Sequence, residues 1–179
     1  MSTTLQRIAY SPLWLLLHAV ALLPFGALYA LSDALAWVAA SVVRYRRRLV
    51  EANIAAAFPD KTEAERRDIV KRFYRNFTDV FVETIKLLHI SDDEMRRRMV
   101  FEDIEHVERI AKDGRSIGLY CSHFGNWEWI TSITLWVYRA DNVEYSQVYR
   151  PLRNKWFDRF WFNLRKRFHS TSIPKNGVL

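Results

Sequence analysis

Cysteine is nearly absent from this sequence, since Cys121 is the single cysteine among 179 residues. One thiol cannot form a disulfide within the chain, which excludes a disulfide-stabilised scaffold and fits a reducing compartment. The five histidines are dispersed, without His-X-X-X-His or similar spacing, so the usual metal-binding patterns are excluded too. We therefore expect neither a metal nor another cofactor. Repeats and low-complexity tracts are also absent, and the 50% hydrophobic content predicts a folded domain with a core.

Acidic residues are outnumbered by basic ones, 20 to 27, and the net charge of +7 predicts attraction to a polyanion. Net charge leaves the partner open, because anionic lipid, an acidic carrier protein and nucleic acid all fit. Most of the excess is local: segment 150–167 carries a net charge of +6, with Asp158 as its single acidic residue. A second cluster consists of Arg44, Arg46, Arg47 and Arg48.

Long apolar runs occupy the N-terminus. Residues 13–30 are almost wholly apolar, and a second run reaches Val43. Pro24 removes a helical hydrogen bond and clashes with the preceding turn, so it predicts two helices or a sharp kink. The first arm, residues 11–23, would measure about 20 Å, too short to cross a hydrocarbon core of ~30 Å. A helix that continues through Pro24 would span, whereas two arms would lie in one leaflet, and we favour this interfacial anchoring.

The apolar region and its arginine cluster define the predicted domains: a membrane-anchoring helical segment at residues 1–48 and an α/β domain at residues 49–179. The positive-inside tendency places the second domain in the cytoplasm. A cleavable signal peptide is disfavoured, because the apolar region is long and Arg7 is the only early basic residue.

Helix signals dominate residues 62–112. Thr62 and Glu65 have capping-box spacing and precede an amphipathic pattern, which predicts a long helix. Residues 91 and 94 repeat that spacing and predict a short helix. A short strand is predicted after Val100, followed by a helix at residues 104–112.

Beyond residue 115 the predicted strands and helices alternate. The predicted order is a buried strand (116–121), a loop (123–126), a helix (127–138), a strand (143–149), an aromatic and basic helix (154–168) and a strand (171–173). This order predicts an α/β fold with a mixed or parallel sheet flanked by helices.

His123 and Glu128 are the candidate catalytic pair. His123 follows a predicted strand and precedes a predicted helix, where α/β proteins place reactive groups. Glu128 would lie in the first turn of that helix and accept a hydrogen bond from one imidazole nitrogen, leaving the other as a general base. The alternative is a structural histidine before a capped helix, with Asn126 as the N-cap.

Tyr149, Arg150 and Pro151 end another predicted strand. A guanidinium beside a rigid proline is a fixed bidentate donor for phosphate or carboxylate, although an ordinary surface arginine is the alternative. The next helix interleaves aromatic and basic side chains. This pattern fits a membrane-surface helix, a nucleic-acid platform, or a core-facing aromatic stripe with a solvated basic face.

The sequence resembles the acyltransferases of lipid A biosynthesis, the lauroyl and myristoyl transferase family. The resemblance extends from the apolar N-terminus nearly to Leu179. It rests on four ordered motifs: Asn-Ile-Ala-Ala-Ala-Phe-Pro at 53–59, Arg-Phe-Tyr-Arg-Asn-Phe at 72–77, His-Phe-Gly-Asn-Trp-Glu at 123–128, and Tyr-Arg-Pro at 149–151 with Asn154 and Asp158 downstream.

The resemblance implies an enzyme with a glycerolipid acyltransferase-like fold at the cytoplasmic face of the inner membrane. It would transfer a fatty acyl chain from an acyl carrier protein thioester to a hydroxyl of a lipid A precursor, through a His-X4-Asp/Glu dyad and without an acyl-enzyme. His123 would be the general base, and Glu128 would orient and stabilise it. The implied partners are acyl carrier protein, the lipid A precursor and an anionic membrane surface. The implied substrate-binding residues are Asn126, Arg150, Asn154, Asp158 and Arg165.

Two departures from the family pattern are visible. Family members are longer, and their sheet and acyl pocket are completed by sequence that would follow Leu179. After Asn154 the family usually has proline, where this sequence has Lys155.

Two other functions remain open to the sequence. The acceptor could be another glycolipid or aminolipid, such as a phosphatidylinositol mannoside, because the dyad reports the reaction rather than the acceptor. A non-catalytic basic protein that binds membrane or nucleic acid is the second alternative. The apolar N-terminus and the lack of a nucleic-acid-binding motif disfavour nucleic acid, which we do not expect as a partner.

Overall fold

The computed structural model describes residues 3–137 and 144–177. The helices in chain order are α1 (Thr3–Leu22), α2 (Phe25–Trp37) with a π-helical extension (Val38–Val42), α3 (Arg47–Ala57), α4 (Glu63–Lys86), α5 (Asp92–Arg98), α6 (Ile104–Lys112) and α7 (Lys155–Arg165). Shorter 3₁₀ helices are Trp127–Leu135, Lys166–Phe168 and Lys175–Gly177, and the strands are β1 (Ser146–Tyr149) and β2 (Thr171–Pro174). These elements form two compact units. We call Leu22–Ile85 the helical unit, and Met1–Ala21 with Lys86–Leu179 the sheet unit.

Pro24 divides the apolar N-terminus into two helices, which confirms the predicted break. It precedes α2 with φ −63° and ψ 153°, an extended conformation that ends the helical path. In the described part of the chain, Phe25–Val42 is long and apolar enough to cross a membrane, which by itself is weak evidence of a span. The apolar stretch Tyr10–Leu22 of α1 is shorter.

Polar side chains join α2 to α4 within the helical unit. Ser32 is fully buried, and its hydroxyl donates to the Asp79 carboxylate. Four polar pairs join these helices among the described residues: Tyr29 with Glu83 (2.8 Å), Ser32 with Thr78 (2.9 Å), Ser32 with Asp79 (2.6 Å) and Asp33 with Arg75 (2.7 and 3.1 Å). An apolar cluster that contains Ala36, Val50, Ile54 and Tyr74 completes the core of this unit. One face of the apolar helix α2 therefore makes polar contacts with α4.

The start of α4 confirms the predicted capping box. The Thr62 backbone N–H donates to the Glu65 carboxylate at 2.8 Å, and the Glu65 N–H donates to the Thr62 hydroxyl at 3.3 Å. These bonds satisfy donors that the first helical turn would otherwise leave without partners. The short helix α5 begins as predicted too, because the Ser91 hydroxyl accepts from the Glu94 N–H at 3.1 Å.

The two strands of the sheet unit pair in parallel, with Ser146 opposite Thr171 and Tyr149 opposite Pro174. Helix α7 provides the crossover between them, as the predicted strand–helix–strand order requires. The predicted strands at 143–149 and 171–173 and the predicted helix at 154–168 are confirmed within a few residues. Val143 lies outside the described residues.

Two predicted strands do not form. Residues 116–121 have no regular structure, and Tyr120 is 99% exposed. The described sheet consists of β1 and β2 alone, and neither pairs with this segment. An apolar run becomes a strand only where a neighbouring strand accepts its backbone hydrogen bonds. The predicted strand after Val100 is likewise missing, and Asp103 there has the left-handed φ of 53°.

The predicted helix at 127–138 forms as a 3₁₀ helix, Trp127–Leu135. Threonine hydroxyls compete for backbone carbonyls in this stretch, which favours a tight turn over an α-helix. Thr131 donates to the Glu128 carbonyl at 3.2 Å, and Thr134 donates to the Thr131 carbonyl at 3.3 Å. Thr134 also contacts the carbonyl of Phe168, a fully buried residue in the core of the sheet unit. The predicted end at Tyr138 lies outside the described residues.

Two histidines join α1 to the segment after α4. His18 Nδ1 and His89 Nε2 are 2.8 Å apart, and the Trp14 ring lies 3.9 Å from the His18 ring. Burial lowers the pKa of His18, and the charge that His89 would carry lowers it further. The contact needs at least one neutral ring, because a hydrogen bond between two imidazoles requires an acceptor nitrogen.

We expect acid to weaken the sheet unit through this pair. Because the folded pKa of His18 lies below its ordinary value of 6.5, its stabilising contribution is complete above that pH. It is lost as the pH falls below 6.5 through the lowered folded pKa. Denaturant unfolding followed by far-UV circular dichroism at a series of pH values should show this loss. His18→Gln should reduce the dependence of the free energy of unfolding on pH below 6.5. His106→Gln, at an exposed position of α6, should leave that dependence unchanged. Identical curves for His18→Gln and the unmodified protein would contradict the assignment.

Candidate active site

His123 lies in the irregular segment that leads into the 3₁₀ helix Trp127–Leu135. Gly125 has a φ of 57°, a left-handed conformation that glycine adopts without strain, and it turns the chain just before the helix. The imidazole is exposed, and its ring centre lies 4.9 Å from that of Trp127 at an interplanar angle of 56°. His123 is therefore accessible to a substrate and in contact with one aromatic ring.

Glu128 lies in the first turn of the same 3₁₀ helix and is buried. Its carboxylate accepts two hydrogen bonds from Arg165, at 2.6 Å from Nη2 and 2.8 Å from Nε. Arg165 occupies the last position of α7, and its side chain is 16% exposed, compared with 10% for the side chain of Glu128. This is a bidentate, charge-assisted pair, the strongest class of hydrogen-bonded contact in proteins.

The expected hydrogen bond from His123 to Glu128 is not present among the described residues. Both Glu128 oxygens instead bond to Arg165, whose guanidinium also lies 5.9 Å from the ring centre of Tyr149. The two charged residues are 37 positions apart, so no local spacing could have revealed their pairing. The family resemblance had implied a different role for Arg165, that of a substrate-binding residue.

Arg150 follows β1, in a loop that ends at the start of α7. Asn154 caps α7, since its side-chain oxygen accepts from the N–H groups of Trp156 and Phe157 at 3.0 and 3.2 Å. Asp158 closes the loop, since its carboxylate accepts from the Leu152 N–H at 2.7 Å. Two predicted substrate-binding side chains, Asn154 and Asp158, therefore hold the loop that carries Arg150.

Lys155, where the family usually has proline, is the first residue of α7. The N–H at this position has no partner within a helix, so lysine and proline fit equally well. The departure from the family pattern thus leaves the start of α7 intact.

Asn126 precedes the 3₁₀ helix and is half-buried. Its carbonyl accepts from the Trp129 N–H at 3.1 Å, and its side chain does not cap the helix, which was the alternative to a role in substrate binding.

The basic surface around the loop is open to solvent. Among the described residues, the exposed basic side chains at positions 150–159 form no ion pair; they are Arg150, Arg153, Lys155 and Arg159. No three described His, Cys, Asp or Glu side chains lie close enough to hold a metal ion. A cavity of about 360 Å³ lies in the helical unit, and none of the predicted site residues lines it.

Comparison with known proteins gives a consistent answer. A family model described as bacterial lipid A biosynthesis acyltransferase matches residues 3–179. The chain is 24% identical to a lipid A biosynthesis acyltransferase of Haemophilus influenzae, an alignment that covers 79% of this chain and 43% of that protein. It is 23% identical to lipid A biosynthesis acyltransferase 2 of Shigella flexneri, over 70% of this chain and 38% of the relative. It is 21% identical to the lipid A biosynthesis myristoyltransferase of Escherichia coli K12, over 73% and 39%.

The chain thus spans about two fifths of the length of the curated relatives that it matches. No solved structure matches it. Because the family model extends over nearly the whole sequence, the chain belongs to the bacterial lipid A biosynthesis acyltransferase family.

Proposed function

We propose that this chain is the part of an acyltransferase that transfers a fatty acyl chain from acyl carrier protein to a hydroxyl of a lipid A precursor. The observation that carries the proposal is the family match over residues 3–179. The relatives are named as acyltransferases of lipid A biosynthesis, and one is named a myristoyltransferase. The exposed His123, five residues before the buried Glu128, supports the same chemistry.

The proposed reaction is direct transfer. A neutral His123 nitrogen accepts the proton of the acceptor hydroxyl while the hydroxyl oxygen attacks the thioester carbonyl carbon. The tetrahedral intermediate then collapses, the carbon–sulfur bond breaks, and the imidazolium returns its proton to the leaving thiolate. The new bond is an ester, and the enzyme ends with the neutral imidazole with which it began.

Glu128 supports this role only if its carboxylate can serve two partners. Each carboxylate oxygen has two acceptor positions, so a carboxylate bound by Arg165 can still accept a hydrogen bond from His123. We propose that Arg165 fixes the carboxylate and that His123 reaches it when the segment before the 3₁₀ helix closes over substrate. Catalytic hydrogen bonds commonly tighten only in the substrate complex.

The basic loop after β1 supports recognition of phosphate. Arg150 and Arg153 are exposed on a loop held by Asn154 and Asp158, and a guanidinium binds phosphate oxygens in pairs. A phosphorylated saccharolipid acceptor matches this charge. The neighbouring Lys155 and Arg159 would attract an acidic carrier protein.

The proposed location is the cytoplasmic face of the inner membrane, with the corner between α2 and α3, residues 37–48, as a lipid contact. Five of its large apolar side chains are exposed: Trp37 (64%), Val38 (37%), Val42 (62%), Val43 (64%) and Tyr45 (46%). The corner also exposes Arg44, Arg46 and Arg48, which form no ion pair among the described residues. Apolar side chains beside cations are the pattern of an interfacial anchor on an anionic leaflet.

We expect His123→Ala to lower the rate of acyl transfer by about 10² to 10⁴-fold, because the general base is lost. The assay follows labelled acyl chains from acyl carrier protein to a phosphorylated disaccharide precursor, by thin-layer chromatography of membranes from cells that express the protein. His106→Ala, at an exposed position of α6, is the control and should keep full activity. A fully active His123→Ala variant would refute the role of His123. Transfer to a different glycolipid or aminolipid alone would replace the acceptor, and salt-dependent nucleic-acid binding without transfer would reject the function.

We expect Glu128→Gln to destabilise the sheet unit by about 3 kcal/mol, because it leaves the Arg165 charge buried without its partner. Glu128→Gln with Arg165→Gln should recover part of this loss in denaturant unfolding, since no buried charge remains. Its turnover should stay low, because the imidazolium lacks a carboxylate. Glu63→Gln breaks an exposed pair with Arg67 and should change little. Full turnover of the double variant would contradict the role of Glu128.

We expect the corner arginines to hold the protein on anionic vesicles. Arg44, Arg46 and Arg48 changed together to Gln should weaken binding about 100-fold, at about 1 kcal/mol for each cation near the surface. The control changes Arg109, Lys112 and Arg115 to Gln, the same loss of charge elsewhere. Sedimentation with vesicles of anionic or zwitterionic lipid measures the binding. Equal losses of vesicle binding in the two variants would show that binding depends on the net charge of the protein and not on the corner.

A further inference from the structure

Tyr10, near the start of α1, lies against the start of α7 within the sheet unit. Its ring is stacked on that of Trp156, with centres 4.8 Å apart and planes at 17°. The Phe157 ring meets it edge-on at 6.1 Å and 72°. The Tyr10 hydroxyl accepts a hydrogen bond from Asn154 Nδ2 at 2.8 Å. The hydrogen bond joins residues 144 positions apart in the sequence.

Asn154 occupies the centre of this arrangement. Its oxygen caps α7 by accepting from the N–H groups of Trp156 and Phe157, and its nitrogen donates to Tyr10. Both ends of the amide are used, so its orientation is fixed by chemistry, with the acceptor towards the helix and the donor towards the phenol. The second N–H of Nδ2 remains for another acceptor.

The loop at residues 150–153 is consequently held from two directions. On one side Asp158 accepts from the Leu152 N–H at 2.7 Å. On the other, Asn154 links the end of the loop to Tyr10. The loop itself exposes Arg150 and Arg153, the guanidinium groups that we assign to phosphate.

The rest of α1 has the surface of a helix that contacts lipid. Its exposed apolar side chains are Trp14 (47%), Leu15 (62%), Leu16 (59%) and Leu22 (66%). A single helix therefore offers apolar side chains for acyl chains to cover and one tyrosine that touches the loop. A lipid contact that fixes the position of α1 would therefore also affect the position of the loop, through Tyr10.

We propose that Tyr10 is a positioning residue that couples α1 to the loop at residues 150–153, so that the seating of α1 in lipid sets where Arg150 meets the acceptor phosphate. The proposal rests on the proposed function for the role of Arg150. Tyr10 acts through Asn154 and touches no reacting atom. The coupling itself stands on the ring stack and the hydrogen bond, which are independent of catalysis.

The test compares Tyr10→Ala and Tyr10→Phe with His106→Ala, which changes an exposed residue of α6 in the same unit. Hydrogen exchange in lipid nanodiscs is measured at the N–H groups of Leu152, Trp156 and Phe157. We expect about tenfold faster exchange or more in Tyr10→Ala, a smaller effect in Tyr10→Phe, which keeps the ring stack, and none in His106→Ala. Unchanged exchange in Tyr10→Ala would overturn the coupling, whatever the enzyme does.

Kinetics of the full enzyme in membranes test the consequence for the substrate. Tyr10→Ala should raise the KM for the phosphorylated acceptor about tenfold, while kcat and the KM for the acyl donor stay within about twofold. Tyr10→Phe should lie between this variant and the unmodified enzyme. A fall in kcat with an unchanged acceptor KM would overturn the positioning role. An unmodified enzyme that transfers no acyl chain would reject the proposed function, and the exchange experiment would still decide the coupling.

Discussion

The buried ion pair between Glu128 and Arg165 ties the segment that carries His123 to the strands and helix that carry Arg150. Residues 116–121 have no strand partner in the described sheet, so backbone pairing does not fix the approach to His123. The bidentate contact supplies what the sheet does not, because a guanidinium and a carboxylate meet in one plane and one orientation. Removing both charges from water is costly, and only this geometry offsets the cost. The relative placement of the predicted base and the predicted phosphate loop thus depends on this contact.

Local chemistry made much of the fold predictable. The capping pairs at Thr62 and Ser91 are complete within three residues, and the helix at 104–112 has the predicted bounds. Strands β1 and β2 were predicted from their own residues, and they pair in parallel with α7 as the crossover between them. The strand predicted at 116–121 failed for a different reason, since a strand depends on a neighbour that its own residues cannot specify. The sequence predicted a helix at 127–138 but not its 3₁₀ type, because threonine hydroxyls that bond to backbone carbonyls favour the 3₁₀ helix over the α-helix there.

The candidate site divides along the same line. His123, Glu128 and Arg150 could be selected because their residue types suit acid–base chemistry and phosphate binding. Their partners could not, because Arg165 reaches Glu128, and Tyr10 reaches Asn154, only after distant segments have folded together. The structure accordingly gives Asn154 and Asp158 the work of holding a loop, where the sequence expected contacts with substrate. Their roles toward substrate stay predictions.

Pro24 gives each compact unit an apolar helix of its own, α1 in one and α2 in the other. On the proposed membrane attachment, the two helices would act as a bivalent ligand towards a lipid layer, because binding through one would raise the local concentration of the other. Neither helix then needs high affinity by itself, and their combined residence time exceeds that of either one. A single change that weakens one helix would shorten the time at the membrane by a large factor and leave the other helix still able to return the protein to it.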